Sequence, residues 1–182
     1  MRYSFLVASL ALASSSYAGY ISESESNNTL ATANDLGTFS APGGTVAIDG
    51  VIGDNDVDWF SFTINNSASL SFFAGFSANA GADGVMQIVA AGGDVIAFDD
   101  DSGIGLMPAI QIVDLAAGTY YMGISGFGDV GFGSVDSDEL ADGIGHSQNF
   151  GYKVSVGFTI IPAPGALALL GMGGLVVSRR RR

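Results

Sequence analysis

The chain has 182 residues, a formal net charge of -12, 48 % hydrophobic residues and no cysteine. Without cysteine it has neither disulfides nor thiolate nucleophiles. A hydrophobic content of this size predicts a folded protein rather than a disordered acidic tail.

The charges are distributed unevenly. All 18 acidic residues lie between Glu23 and Asp142, whereas the basic residues are Arg2, Lys153 and the run Arg179–Arg182. Without both ends, one lysine opposes 18 carboxylates, a formal charge of -17. Such a surface repels the phosphates of nucleic acids and anionic lipids and attracts cations, which excludes nucleic acid as a partner.

The N-terminus has the layout of a secretory signal peptide. Arg2 precedes an apolar run from Phe5 to Ala13, and small residues follow as far as Ser16-Tyr17-Ala18. This order predicts a signal helix in residues 1–18, with cleavage by signal peptidase after Ala18. The alternative is a buried N-terminal helix, but the run is short and a small-residue site follows it.

Apolar and polar residues alternate along several segments in the middle of the chain. The clearest is YKVSVGFTI, in which residues 152, 154, 156, 158 and 160 share one apolar face. Similar inward sets are Phe60, Phe62 and Ile64; Leu70, Phe72, Ala74 and Phe76; and Tyr120, Met122 and Ile124. This period of two is typical of strands with one buried side.

Weaker strand patterns cover residues 46–52, 85–90, 94–98 and 109–113, and Gly, Asn and Asp turns separate them. About eight strands in this arrangement predict an all-β fold, an antiparallel β-sandwich. Gly126 to Gly151 shows no strand pattern, and loops of this length are usually functional or mobile.

The run Asp99, Asp100 and Asp101 follows a strand pattern, and we expect these side chains to form hydrogen bonds with the backbone of the turn that they occupy.

Two polar clusters have the ligand types of a calcium site. One is Glu23, Glu25, Asn27 and Asn28, and the other comprises Asp54, Asp56 and Asp58 before Trp59. Calcium takes six to eight oxygen ligands, which the two clusters together supply more readily than either alone. The alternative is that all of them are solvated strand and turn residues.

Catalytic patterns are scarce. His146 is the one histidine, and its glycine-rich surroundings predict a solvated side chain. No GxSxG motif occurs, and the GxGxxG match at Gly126–Gly131 leads into no helical pattern. Acidic residues are plentiful, so a carboxylate-dependent hydrolase of polysaccharide or peptide stays open as the alternative function.

The C-terminus combines Pro162-Ala163-Pro164, an uncharged stretch from Gly165 to Val177, and Arg179, Arg180, Arg181 and Arg182. As a helix the stretch spans roughly 20 Å, short of the ~30 Å hydrocarbon core. The layout of residues 161–182 resembles the PEP-CTERM sorting signal, although Ala163 stands where that family has glutamate. The resemblance implies a short hydrophobic helix, transient membrane insertion, cleavage by an exosortase, and delivery to the bacterial cell surface or extracellular matrix. The alternative is that the tail is kept as a weak membrane anchor with a basic end.

The central region, residues 19–160, resembles the bacterial pre-peptidase C-terminal (PPC) domain. The resemblance is carried by ESESNNTLATANDL, VIGDNDVDWFSF, LAAGTYYMGI and YKVSV, in that order. It implies a jelly-roll-like β-sandwich without catalytic activity. Collagen-binding members of the family bind calcium, which by resemblance gives the metal ligands Glu23, Glu25, Asn27, Asn28, Asp56 and Asp58.

These observations together predict a secreted, non-catalytic surface or matrix protein. Its β-sandwich acts as a binding or structural module, with calcium as cofactor. Signal peptidase and exosortase are its processing partners, and extracellular polysaccharide or protein is its ligand.

Overall fold

The computed structural model describes residues 17–132 and 139–161, and within them the chain is all-β. The described strands are β1 (Tyr17–Ser22), β2 (Asn34–Phe39), β3 (Gly43–Ile52), β4 (Val57–Ile64), β5 (Ala68–Ala78), β6 (Gly84–Ala90), β7 (Val95–Asp99), β8 (Ala109–Leu115), β9 (Gly118–Gly126) and β10 (Phe150–Ile160). A single 3-10 turn, Leu30–Thr32, precedes β2 in this part of the chain.

The strands form two five-stranded sheets that pack face to face. Sheet A has the order β1-β3-β10-β5-β8 and sheet B the order β2-β4-β9-β6-β7. Without β1 and β2, the sheets have the orders β3-β10-β5-β8 and β4-β9-β6-β7, which is the double Greek-key order of a jelly roll. The all-β sandwich predicted from the sequence is therefore confirmed.

Two features of the predicted sandwich were wrong: the described residues contain ten strands rather than about eight, and not every pair is antiparallel. The additional strands lie at the sheet edges, where β1 pairs with β3 and β2 with β4 in parallel. In β2 the period of two is broken by a register shift between Asp35 and Thr38, with Gly37 at φ 81°. Leu36 and Phe39 therefore both point inward although they are three residues apart.

The main core lies between the sheets and consists of the alternating residues identified in the sequence. All five inward residues of β10 are buried, as are the inward residues of β4 and β9. Phe39 links the layers: its ring stacks on Phe158 at 4.4 Å and on Phe62 at 5.1 Å between centroids. Phe76 is an exception among the predicted inward residues, since it is 37 % exposed near the end of β5.

A second, smaller core covers the outer face of sheet B. Val57, Trp59, Val89, Val95 and Ala141 form this cluster. The chain between β9 and β10 lies over it, with no strand in its described residues. Trp59 Nε1 donates to the carbonyl of Ala141 (3.3 Å), and Gln87 Oε1 accepts from the amide of Ala141 (2.9 Å). This connection is thus part of the packed structure where it is described.

Residues 1–16 of the predicted signal helix and the predicted C-terminal hydrophobic helix lie outside the described residues, as do Pro162, Ala163, Pro164 and the arginine cluster. Ala18, the predicted cleavage point, lies inside β1. Among the described residues, no helix has the length and apolar character needed to cross a membrane.

Gly123 provides the space that Trp59 occupies. The two residues are register partners on β9 and β4, and a Cβ built on Gly123 would lie 2.7 Å from the indole ring. Gly123→Ala should therefore destabilise the protein by about 1–3 kcal/mol through overpacking. Gly75→Ala is the matched control, because a Cβ there meets nothing within 4 Å. Urea unfolding measures both; equal stabilities of the two variants would contradict the role of Gly123.

Candidate metal centre

Three carboxylates meet where the N-terminal segment passes from sheet A to sheet B. Glu23, Glu25 and Asp58 each offer an oxygen, and these oxygens lie within 4.8 Å of one another. Glu23 directly follows β1, and its amide donates to the carbonyl of Asp49 on β3 (2.9 Å). Asp58 is the second residue of β4. The pairing of β1 with β3 thus brings residues far apart in sequence to one point.

Hydrogen bonds to Asn34 at the start of β2 and to Trp59 on β4 hold segment 24–28 in place. The Ser24 amide donates to Asn34 Oδ1 (2.7 Å), and Asn34 Nδ2 donates to the Ser24 carbonyl (3.0 Å). The Trp59 amide donates to the carbonyl of Asn27 (2.9 Å). Because these bonds involve the main chain, they fix the path along which Glu25 and Asn27 are presented.

Tyr152 connects two of the carboxylates. Its hydroxyl lies 2.7 Å from Asp58 Oδ2 and 3.1 Å from Glu23 Oε2, so the two acceptors share its one proton. The Val51 amide also donates to Glu23 Oε2 (3.0 Å). A Cβ on Gly50 would overlap both Glu23 Oε2 and the Tyr152 hydroxyl. Glycine at position 50 is therefore required for this arrangement.

Two buried oxygens at this point have no hydrogen-bond donor among the described residues. They are Oδ1 of Asp58 and Oδ1 of Asn27, and both side chains are fully buried. Nδ2 of Asn27 is directed to Asn34 Oδ1 at 3.4 Å, which leaves its oxygen available. A buried oxygen without a partner costs about 1–3 kcal/mol, and more for a charged group. Oxygen-only ligands of this kind suit a hard cation.

The pKa values of the carboxyl groups also indicate that this centre lacks positive charge. Burial, followed by the contact with Glu23, raises the pKa of Asp58 to about 10. Partial burial and the charges of Asp56 and Glu23 raise the pKa of Glu25. The one Lys or Arg between residues 3 and 178 is Lys153, which lies on the outer face of sheet A as the register partner of Asp49. Within the described residues, no basic side chain therefore offsets the charge of the centre.

The other two predicted ligands, Asn28 and Asp56, lie beside the three carboxylates rather than among them. Asn28 Nδ2 donates to Asp56 Oδ1 (2.9 Å), and the Gly53 amide donates to Asp56 Oδ2 (3.0 Å). Both carboxylate oxygens of Asp56 therefore already accept hydrogen bonds and close the turn between β3 and β4.

Asp99 likewise accepts hydrogen bonds from the amides of Ser102 and Ala109, which confirms its predicted role in a local turn.

His146 was predicted to be solvated, and this was wrong: it is 3 % exposed. Its Nδ1 accepts from the Gln148 amide (3.2 Å), and its Nε2 contacts the main chain of Asp56, 2.8 Å from the carbonyl oxygen and 3.3 Å from the amide nitrogen. A Cβ on Gly126 would overlap His146 Nδ1. The glycines that suggested an open loop therefore make room for the packed ring.

Tyr152 and Gly50 were not recognised as part of the site from the sequence. Tyr152 was assigned only to the apolar face of its strand. A tyrosine on an otherwise aliphatic and phenylalanine face is itself a signal, because its hydroxyl needs a polar partner when buried. Gly50 gave no such signal, since the need for it arises from two side chains distant in sequence.

The arrangement is better suited to binding a cation than to acid–base catalysis. A close carboxylate pair with one raised pKa is also typical of a glycosidase. Such a residue must touch its substrate, however, and Asp58 has no exposed surface. A cation held between Glu23, Glu25 and Asp58 needs no contact between Asp58 and a substrate.

Comparison with known proteins identifies no family. No family model matches the sequence, and no curated protein matches it. Among solved structures, the periplasmic inhibitor of g-type lysozyme from Aeromonas hydrophila is similar, with TM-score 0.44 and 11 % identity over 69 % of this chain and 96 % of that chain. The pre-peptidase C-terminal domain of Bacillus anthracis collagenase has TM-score 0.42 and 15 % identity over 68 % of this chain and 93 % of that chain. Similarities of this size assign neither a family nor a function.

The raised pKa of Asp58 predicts that the metal-free protein loses stability as pH rises. An unfolded aspartate ionises near pH 3.9. Between there and about pH 10, the folded state keeps a proton that the unfolded state releases. Stability then falls with pH, by at most about 1.4 kcal/mol per unit for one proton. We expect Asp58→Asn to flatten this slope and to be more stable than the natural chain near neutral pH in chelator.

Melting temperatures measured in chelator across this range test the prediction. Asp114→Asn is the matched control, because Asp114 is exposed on β8. If Asp58→Asn and Asp114→Asn both keep the slope of the natural chain, Asp58 is not the group responsible.

Proposed function

We propose that the chain is an exported, non-catalytic protein of the bacterial cell surface or extracellular matrix, whose β-sandwich is stabilised by calcium and binds an extracellular partner. The supporting observation is the group formed by Glu23, Glu25 and Asp58, in which a fully buried oxygen lacks a donor and no basic side chain of the described residues offsets the charge. A calcium ion supplies what this group lacks.

Calcium fits the ligand set better than other common metals. Glu23, Glu25, Asp58 and Oδ1 of Asn27 offer oxygen only, whereas zinc prefers nitrogen and sulfur. Magnesium requires near-ideal octahedral geometry and retains its water. Calcium tolerates irregular carboxylate geometry, and water completes its six to eight ligands.

Calcium at this position joins the two sheets. Glu23 belongs to the end of sheet A, and Asp58 belongs to sheet B. A bound ion would hold both, together with the segment between them, and would offset the repulsion between the carboxylates. In this role the metal is structural: it stabilises an N-terminal segment that otherwise frays.

Export rests on the two ends of the sequence. Residues 1–18 act as the signal peptide, and residues 161–182 act as the sorting signal, with Pro162-Ala163-Pro164 as the motif read by an exosortase. The uncharged stretch from Gly165 to Val177 inserts transiently, and the arginines keep the end on the cytoplasmic side. The domain in between reaches the outside, where calcium is abundant.

Calcium should raise the melting temperature of the exported protein more than magnesium does at equal millimolar concentration. Binding to the folded state alone contributes about 2.7 kcal/mol when free calcium is a hundredfold above Kd. Gly50→Ala should abolish most of this shift, because its Cβ displaces Glu23 and Tyr152. Gly75→Ala should retain it.

Equal melting temperatures in calcium and in chelator would remove the metal from the proposal. A shift that survives in Gly50→Ala would place the ion elsewhere on the acidic surface.

The intact mass of the exported protein tests the processing steps. We expect a product that begins after Ala18 and ends near Pro162-Ala163-Pro164, without the arginine cluster. Substituting the four arginines by serine should leave the tail attached, because the stop signal is lost. A full-length product folded inside the cell would contradict export.

A further inference from the structure

Three loops bring exposed apolar side chains together at one end of the sandwich. Leu106, between β7 and β8, forms an isolated bridge with Asp83, between β5 and β6. On the other side of Asp83, the Phe127 amide donates to the Asp83 carbonyl (2.9 Å). Leu106 and Phe127 are 49 % and 53 % exposed. The backbone at Leu106 and the backbone at Phe127 therefore both adjoin Asp83, one on each side.

The apolar surface continues onto the end of sheet A. A Cβ built on Gly105 would lie 3.7 Å from the ring of Phe76, which places this loop beside the end of β5. Ile104 is also largely exposed. Phe76, Ile104, Leu106 and Phe127 are here called the loop-end patch. Contiguous exposed apolar groups with a polar rim are typical of interaction sites, unlike single scattered ones.

The rim of the loop-end patch is acidic. The pKa of Asp83 is raised by partial burial and then by the charges of Asp100 and Asp101, so both of these carboxylates lie near Asp83. The single lysine of the central region lies on β10, on the outer face of sheet A. The patch therefore combines apolar side chains with uncompensated negative charge.

This combination selects the partner. Nucleic acid, anionic lipid and a second copy of this acidic chain would all bring like charge to the rim. A basic segment without large apolar side chains would leave the apolar groups exposed. We propose that the loop-end patch docks a cationic protein segment that carries large apolar side chains between its lysines or arginines. The proposal rests on the extracellular binding role proposed above, but it does not depend on the calcium site.

The positions of the apolar side chains and of the aspartates determine how the partner segment binds. An apolar side chain of the partner packs against Leu106 and Phe127, and a flanking ammonium or guanidinium lies near Asp83, Asp100 or Asp101. The apolar contact supplies most of the affinity and the charges supply the attraction and orientation. Specific binding therefore requires both the apolar contact and the opposite charges.

Isothermal titration calorimetry at physiological salt tests this with the exported protein and three synthetic peptides. In the first, lysine alternates with tryptophan; the second replaces lysine by glutamate; the third replaces tryptophan by serine. We expect the first to bind and each of the others to bind at least tenfold more weakly. Repeating the titration in chelator separates this test from that of the calcium site.

Two variants locate the contact. The double change Leu106→Ser and Phe127→Ser should weaken the lysine–tryptophan peptide at least tenfold, while the backbone bonds of both residues remain. Val113→Ser, at a residue 68 % exposed on β8, is the matched control and should bind as the natural chain does. Asp100→Asn with Asp101→Asn should weaken binding and reduce its salt dependence. These loop variants should keep the cooperative urea-unfolding transition of the natural chain in chelator, which verifies their fold independently of calcium.

Any of four results would overturn the proposal. They are no binding of the lysine–tryptophan peptide, equal binding of the serine peptide, unchanged binding by the Leu106 and Phe127 variant, and self-association through the patch.

Discussion

The burial of Asp58 is the constraint on which much of this structure depends. A carboxylate inside a sandwich is costly unless its oxygens are satisfied, and only Oδ2 has a donor here. The donor is Tyr152, which itself fits only because position 50 is glycine. Glu23 shares the same hydroxyl, so the first residues of the domain are tied to strands from both sheets. A polar junction therefore sets how the N-terminal segment crosses between two otherwise apolar layers.

Strand β4 explains why the connection between β9 and β10 is so long. Its inner face supplies Phe60 and Phe62 to the main core, and its outer face supplies Val57 and Trp59 to the second core. An outer face of this kind needs a cover, which the loop provides with main chain as well as side chains. Buried main-chain groups need partners, and this accounts for the polar anchors inside the loop.

Asp129 shows how such an anchor works. It is nearly buried, and its two oxygens accept from the amides of Gly131, Asp142 and Gly143. His146 performs a similar task at the turn that contains Asp56. Asp129 and His146, whose residue types suggest catalysis or metal binding, therefore hold the connection between β9 and β10 against the sandwich by hydrogen bonds. Among the buried side chains of the described residues, the oxygens without donors are Oδ1 of Asp58 and Oδ1 of Asn27.

The alternating segments determined most of the fold by themselves, because burial of one sheet face imposes a period of two on β4, β5, β9 and β10. The parallel edge strands were missed because β1 is mostly exposed and β2 carries a bulge at Gly37, which hides the period. The sequence also indicated that Glu23, Glu25 and Asp58 have ligand chemistry. Only the tertiary structure decided that they meet, that Asp56 is engaged in a turn, and that Tyr152 and Gly50 complete the site. Such contacts join residues far apart along the chain, and local pattern carries no information about them.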